Sequence, residues 1–162
     1  MQPSNVSPKN ALKYKTIAVV GASKNPEKEA HTVPAYLQRH GYKIIPVNPT
    51  ADSILGEKAY PSLLDLPADL AKKVEIVEVF RRSEDLPEVA RQAVKMKERY
   101  GRPFVFWAQL GLESDEAKQI LDGSKIPYVM NRCMKVEHGL MSEKEENHTR
   151  TDRPTPNSQR ER

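Results

Sequence analysis

The stretch Thr16-Ile17-Ala18-Val19-Val20-Gly21-Ala22-Ser23 decides the fold. Its apolar part, Thr16–Val20, predicts a buried strand, and the glycine that follows lets the chain turn tightly. A helix is predicted next over Ala30–His40, because Val33 and Leu37 are spaced to face a core. A strand, a glycine turn and a helix together indicate the first unit of an α/β fold.

The rest of the chain continues this alternation. Further strands are predicted over Lys43–Val47, Val74–Phe80, Phe104–Trp107 and Tyr128–Met130. Two later helices, each with a serine as its cap, are predicted over Ser83–Tyr100 and Ser114–Leu121. The first of these has an apolar stripe formed by Leu86, Val89, Ala90, Ala93 and Val94. We therefore predict right-handed βαβ units and a Rossmann-like parallel sheet with helices on both faces, a three-layer αβα fold.

Length and composition indicate one domain. The chain has 162 residues, 38% of them apolar, and no apolar run approaches the roughly 20 residues of a membrane helix. We expect a flexible lead at 1–13, the folded domain at 14–141 and a disordered, charged tail at 142–162. No signal-peptide pattern is present, and the single cysteine, Cys133, excludes a disulfide framework within one chain, so a cytoplasmic setting is expected. The net charge of +4 suits an anionic ligand but is too small to indicate a nucleic-acid surface.

The loop after the first strand is a candidate phosphate site. Parallel α/β sheets bind ligands at the carboxyl ends of their strands. The backbone N–H groups that follow Gly21, with the next helix N-terminus, can cradle a phosphate, and Ser23 and Lys24 add a hydroxyl and a charge. An ordinary turn is the alternative interpretation.

The pattern of NAD-binding proteins is matched poorly. In the fingerprint G-x-G-x-x-G the first glycine falls on Gly21, but the other two positions hold Ser23 and Pro26. The second strand ends in Val47-Asn48-Pro49, with no acid before Asp52, where NAD sites often place a carboxylate for the ribose. A neutral group there is compatible with a ribose that bears a phosphate.

Two later loops contain further candidates. Phe80 could stack on a base while Arg81 pairs with phosphate. The simpler interpretation, a core phenylalanine beside solvated arginines, is incomplete because cations at a helix N-terminus oppose the macrodipole. Gln109 can hydrogen-bond a ligand amide, Gly111 permits close approach, and Trp107 is expected in the core.

The segment after the last strand contains Cys133 and His138, the residue types of a nucleophile pair. A buried, inert cysteine and a surface histidine are the more common arrangement, so we predict no catalytic residue. The histidine spacing does not resemble a metal site, and we predict none.

Seven motifs in order resemble the single-domain coenzyme A-binding proteins, which are similar to the coenzyme A-binding domain of the succinyl-CoA synthetase α subunit. The match runs from about Tyr14 to about Met141. The motifs are Gly21-Ala22-Ser23 with Pro26, Gly41-Tyr42 leading into Pro46-Val47-Asn48-Pro49, Gly56-Glu57-Lys58, Tyr60-Pro61-Ser62-Leu63, Val79-Phe80-Arg81, the Trp107–Gly111 loop, and Arg132-Cys133-Met134-Lys135 with Glu137-His138.

The resemblance implies a Rossmann-like fold that binds coenzyme A as its cofactor. Three family loops that lie by the nucleotide then correspond to Ser23, Lys24, Asn25 and Pro26, to Asn48, Pro49 and Thr50, and to Val79, Phe80 and Arg81. The predicted binding residues also include Gly21, Ala22, Val47, Gln109 and Gly111. Many members have Asp where this chain has Glu78 and Asn131. The synthetase also needs a second domain with a phosphorylated histidine and a β subunit, so ligase activity is not carried over.

We therefore predict a protein that binds coenzyme A or an acyl-CoA, as a carrier or sensor without intrinsic ligase activity. Two alternatives stay open: a redox protein that uses Cys133 with the coenzyme thiol, and an NAD-binding redox protein on the same fold. A homodimer or a protein partner is compatible with the sequence; a nucleic acid or membrane partner is not expected.

Overall fold

A computed structural model describes residues 6–152, with side chains as far as Glu143. Its main sheet has five parallel strands in the order β2-β1-β5-β6-β7, and a small antiparallel hairpin joins β3 to β4. The strands are β1 (Thr16–Val20), β2 (Lys43–Val47), β3 (Ser53–Ile54), β4 (Glu57–Lys58), β5 (Ile76–Val79), β6 (Val105–Ala108) and β7 (Tyr128–Val129). The parallel sheet predicted from the sequence is confirmed, and β1 and β2 have the predicted bounds.

Helices cover both faces of this sheet. They are α1 (Pro8–Ala11), α2 (Glu29–Arg39), α3 (Ala68–Ala71), α4 (Leu86–Tyr100), α5 (Asp115–Gly123) and α6 (Met134–Asp152). The cap predicted for α5 is present, because the Ala117 N–H donates to Ser114 Oγ at 3.1 Å. The helix predicted from Ser83 begins at Leu86, because Ser83–Asp85 forms a 3₁₀ turn. The predicted Ser83 cap is therefore wrong, and Ser83 Oγ instead accepts from the Glu113 N–H at 3.1 Å.

Two apolar cores separate the layers. On one face α4 and α5 pack against the sheet, and the predicted stripe of α4 is buried there except for the partly buried Val94. On the other face the core is built from α1, α2 and the start of α6, with Val33 and Leu37 of α2 buried as predicted. The αβα arrangement is therefore confirmed.

Residues 6–13, the described part of the flexible lead that we predicted at 1–13, pack against the domain. Ala11 and Leu12 are fully buried in the core beside α2 and α6. The Tyr42 hydroxyl donates a hydrogen bond to the Leu12 carbonyl at 2.7 Å. These apolar side chains complete the core from outside the predicted domain boundary. Our sequence reasoning missed them because polar residues surround them in the sequence.

At the other terminus, α6 continues to Asp152 and so includes part of the segment 142–162 that we predicted to be disordered. Residues 153–162 lie outside the described part of the chain. Within the described residues, no helix combines the length and the apolar character needed to cross a membrane.

Candidate functional site

The predicted site residues follow strands of one parallel sheet, so they lie together at the carboxyl ends of these strands. We call this side of the sheet the carboxyl edge, or simply the edge. The loops after β1, β2 and β5 lie side by side because these strands are neighbours in the order β2-β1-β5. The loops after β6 and β7 extend the same edge to its far end.

Gly21 is the point where the first three loops meet. Its N–H donates to the Val47 carbonyl at 2.9 Å, and its φ is +91°. A Cβ atom at this position would lie 2.1 Å from the Phe80 carbonyl oxygen. No side chain fits there, so the glycine is required by the close approach of the β5 loop as well as by its backbone conformation.

Asn48 ties the β1 and β2 loops together. Its Nδ2 donates to the Ala22 carbonyl at 2.8 Å, and its Oδ1 accepts from the N–H groups of Thr50 at 2.7 Å and Ala51 at 3.1 Å. The sequence identified Asn48 as a neutral neighbour for a ribose. The structure shows that its amide is engaged in holding the site's loops.

The β1–α2 loop is preorganised. Ser23 Oγ accepts from the Asn25 N–H at 3.0 Å, and Asn25 Oδ1 accepts from the Glu27 N–H at 2.9 Å. The Lys24 and Pro26 side chains are exposed beside these turns. The Lys28 side chain at the N-cap of α2 makes no capping hydrogen bond, and of the first-turn N–H groups that of His31 donates to the Lys28 carbonyl at 2.9 Å. This environment suits an anion.

Burial separates the predicted site residues into two groups. The side chains of Ala22, Val47 and Val79 are buried in the cores, so Ala22 and Val79 can meet a ligand only through their backbones. Pro49 and Thr50 are exposed. A cavity of about 210 Å³ at this end of the edge is lined by Val47, Pro49 and other residues of the β1 and β2 ends, the β5 loop and α4.

Arg81 also lines this cavity and forms an ion pair with Asp85 at 3.5 Å. Arg82 hydrogen-bonds the same carboxylate and lowers the pKa of Asp85. This acidic partner offsets the unfavourable position of two arginines at a helix start. Phe80 is half-buried against the core, in agreement with the simpler of its two interpretations.

Three hydrogen bonds fasten the loop after β7 to the end of β6. Trp107 is fully buried, as predicted, and its Nε1 donates to the Arg132 carbonyl at 2.8 Å. The Met134 N–H donates to Gln109 Oε1 at 2.9 Å, and the Gly111 N–H donates to Asn131 Oδ1 at 2.7 Å. Gln109 was predicted to bind a ligand amide. Its oxygen is instead used within the protein, while its buried Nε2 has no partner among the described residues.

A second cavity, of about 490 Å³, lies between these loops and the start of α6, and Cys133 lines it. His138, expected at the surface, is instead buried, with Nδ1 2.8 Å from the Tyr36 hydroxyl oxygen of α2. It is not among the residues that line this cavity.

Glu78, which our sequence reasoning noted only as a departure from the family, has a buried carboxyl group. It lies in the middle of the sheet, in register with Val19 and Trp107. Its carboxyl group is fully buried, and neither oxygen has a partner among the described residues. Burial raises the pKa of Glu78 from 4.5 to about 8, so the group is mostly neutral at pH 7. The sequence feature that could have identified this buried carboxyl group is an acidic residue within the otherwise apolar strand β5.

Known proteins resemble this chain over most of its folded part. A Bacillus subtilis protein, YneT, is 43% identical over 139 residues, which cover 85% of this chain and 96% of that protein. The ADP-forming acetate–CoA ligase II of Archaeoglobus fulgidus is 37% identical over 83 residues, which cover 50% of this chain but only 12% of the ligase.

Solved structures share the fold. A protein from Pyrococcus horikoshii OT3 has a TM-score of 0.73 and 36% identity, covering 86% of this chain and 95% of that one. A Thermus thermophilus protein has a TM-score of 0.71 and 35% identity, covering 84% and 99%. The family described as CoA binding domain matches residues 15–139. The chain thus belongs to the CoA-binding domain family, as its motifs suggested.

Proposed function

We propose that this protein binds coenzyme A, free or as an acyl thioester, and acts as a cytoplasmic carrier or sensor without ligase activity of its own. The observation that carries the proposal is the match of the CoA-binding family to residues 15–139, which contain all the loops of the edge. The match to the ligase covers only 12% of that protein, so its activity is not assigned to this chain.

We place the phosphates of the coenzyme at the β1–α2 loop. The first turn of α2 supplies N–H groups and the favourable end of the helix dipole. Lys24 supplies an exposed ammonium group, and Arg81 lies in the adjoining cavity on the β5 side. Cations from two loops and a helix N-terminus together suit a ligand that carries more than one phosphate.

Isothermal titration with coenzyme A tests this proposal, with NADH and ATP as parallel ligands. We expect selective binding of coenzyme A. The variant Lys24→Glu should weaken coenzyme A binding roughly ten- to a hundredfold, the value of a charge-assisted contact. It should affect pantetheine, which carries no phosphate, far less.

The matched control is Lys72→Glu, the same charge reversal just after α3, at the opposite edge of the sheet. We expect it to leave affinity within about twofold of the unmodified protein, because screening weakens a distant exposed charge. Equal losses in both variants would contradict a phosphate contact by Lys24. Preference for NADH, or no binding of coenzyme A at millimolar concentration, would contradict the proposed function.

A thiol–disulfide role for Cys133 is the second candidate function, and the place of Cys133 in the second cavity favours it. In this reaction the Cys133 thiolate attacks the disulfide of oxidised coenzyme A, forms a mixed disulfide and releases one coenzyme thiolate. Intact mass should then rise by one coenzyme adduct in the unmodified protein and not in Cys133→Ala. An unmodified mass in both would remove this candidate.

A further inference from the structure

We propose that the cavity beside the start of α6 is an acyl subsite that takes the uncharged, apolar acyl group of a coenzyme A thioester. The inference rests on the proposed function and adds a substrate class to it. The subsite is formed by the loops after β6 and β7 and the first turn of α6, at the far end of the edge from the β1–α2 loop.

The distance along the edge matches the length of the coenzyme's arm. In the order β2-β1-β5-β6-β7, the end of β7 lies three strand spacings from the end of β1. At about 4.8 Å per spacing this is about 14 Å. The pantetheine arm has about as many main-chain atoms as four amino-acid residues, so fully extended it spans about 14 Å. With its phosphates at the β1–α2 loop, the coenzyme can therefore present its thiol at this cavity.

The lining of the cavity combines apolar and polar side chains. Leu110 and Val136 are its exposed apolar residues, with relative exposures of 63% and 54%, and Met130 and Cys133 are partly buried. Its exposed polar residues are Glu113, Asn131 and Arg132. Large apolar side chains that cluster at the surface commonly mark a binding site. The volume of about 490 Å³ is in the range of small-molecule sites.

The charges around the cavity are already paired. Among the described residues that line it, Arg132 is the one cation, and its Nη1 lies 3.3 Å from a Glu137 carboxylate oxygen. Glu113 is paired in turn with Lys118 at 2.7 Å. The lining therefore contains two carboxylates and one cation, so its net charge is negative and the subsite should select against dicarboxylic acyl groups.

The rim of the cavity is held in place before any ligand arrives. The Trp107–Arg132 and Gly111–Asn131 hydrogen bonds, at 2.8 and 2.7 Å, connect its two loops. A rim ordered in advance loses little conformational entropy when an acyl chain binds.

Competition titrations with acetyl-, butyryl-, hexanoyl- and succinyl-CoA test the inference. Each fully buried methylene group raises affinity about fourfold. Because the cavity is open to solvent, the extra methylene groups of the hexanoyl chain are only partly buried, so we expect hexanoyl-CoA to bind about tenfold more tightly than acetyl-CoA. Succinyl-CoA should bind more weakly than butyryl-CoA, which has the same number of acyl carbons. Leu110→Ser and Val136→Ser should each remove most of the hexanoyl preference and leave the affinity for free coenzyme A unchanged.

The control variant is Leu140→Ser, which changes an exposed leucine one turn beyond Val136 that does not line the cavity. It should leave the hexanoyl preference intact. Equal affinity for all the thioesters, with coenzyme A still bound, would overturn the acyl subsite and leave the proposed function standing. A preference that survives both lining variants would also overturn it. Failure of coenzyme A itself to bind would refute the proposed function.

Discussion

The buried carboxyl group of Glu78 makes stability depend on pH in a way that can be calculated. In the unfolded chain the carboxyl group titrates near 4.5, whereas burial holds its folded pKa at about 8. Between these two values the unfolded state releases its proton first, so the folded state loses stability as pH rises. The linkage relation gives a penalty of about 1 kcal/mol at about pH 5 and about 4 kcal/mol at about pH 7.5.

The substitution Glu78→Gln isolates this effect, because glutamine has the shape of the protonated acid but does not titrate. We expect the stability difference between variant and unmodified protein to grow by about 3 kcal/mol from about pH 5 to about pH 7.5, in favour of the variant. Urea unfolding of the ligand-free proteins at a series of pH values measures it directly. Contributions from the other titratable groups cancel in the difference.

An exposed glutamate provides the control. Glu98 lies on the solvent side of α4, and Glu98→Gln should show a nearly constant stability difference over the same pH range. If the stability difference for Glu78→Gln is equally independent of pH, the folded protein stabilises the carboxylate. The conclusion that Glu78 is unpaired and neutral would then be wrong.

Further predictions concern the glycine at the site, the N-terminal segment and a helix cap. Gly21→Ala should lower the free energy of unfolding, measured with urea, by about 1–3 kcal/mol more than Gly41→Ala does. It should also weaken coenzyme A binding. Both positions have positive φ, but only the first has no room for a Cβ atom. Leu12→Ala should lower the free energy of unfolding by about 2–5 kcal/mol because Leu12 is fully buried. The control Leu140→Ala, at an exposed leucine, should lower it by less than about 0.5 kcal/mol. A similarly small effect at Leu12 would support the predicted flexible lead. Ser114→Ala should cost about 1 kcal/mol, measured in the same way, through loss of the α5 cap.

Much of the fold could be predicted from the sequence because its signals are local. The apolar runs of β1 and β2 and the apolar stripe of α4 are periodic patterns within short windows. The αβα fold class follows from their alternation. The motifs of the family also lie in short loops, so the coenzyme A assignment was open to sequence reasoning.

The site was predicted less completely. Lys24, Asn25 and Arg81 stand in loops where they can face a ligand. Ala22 and Val79 are buried, and the Asn48 amide is engaged in joining two loops. A loop motif identifies the residues near a ligand, but whether each side chain faces the ligand or the core depends on what packs behind the loop.

The sequence by itself determined the alternation of the five main strands with α2, α4 and α5, the candidate loops and the family, because each depends on neighbouring residues. Only the tertiary structure decided that Leu12 completes a core, that Glu78 is buried without a partner, and that Leu110 and Val136 line one cavity with Cys133. Leu110, Val136 and Cys133 meet because the sheet order β2-β1-β5-β6-β7 places the loops after β6 and β7 side by side. Local periodicity does not specify that order, since the same helix and strand patterns are compatible with several strand orders.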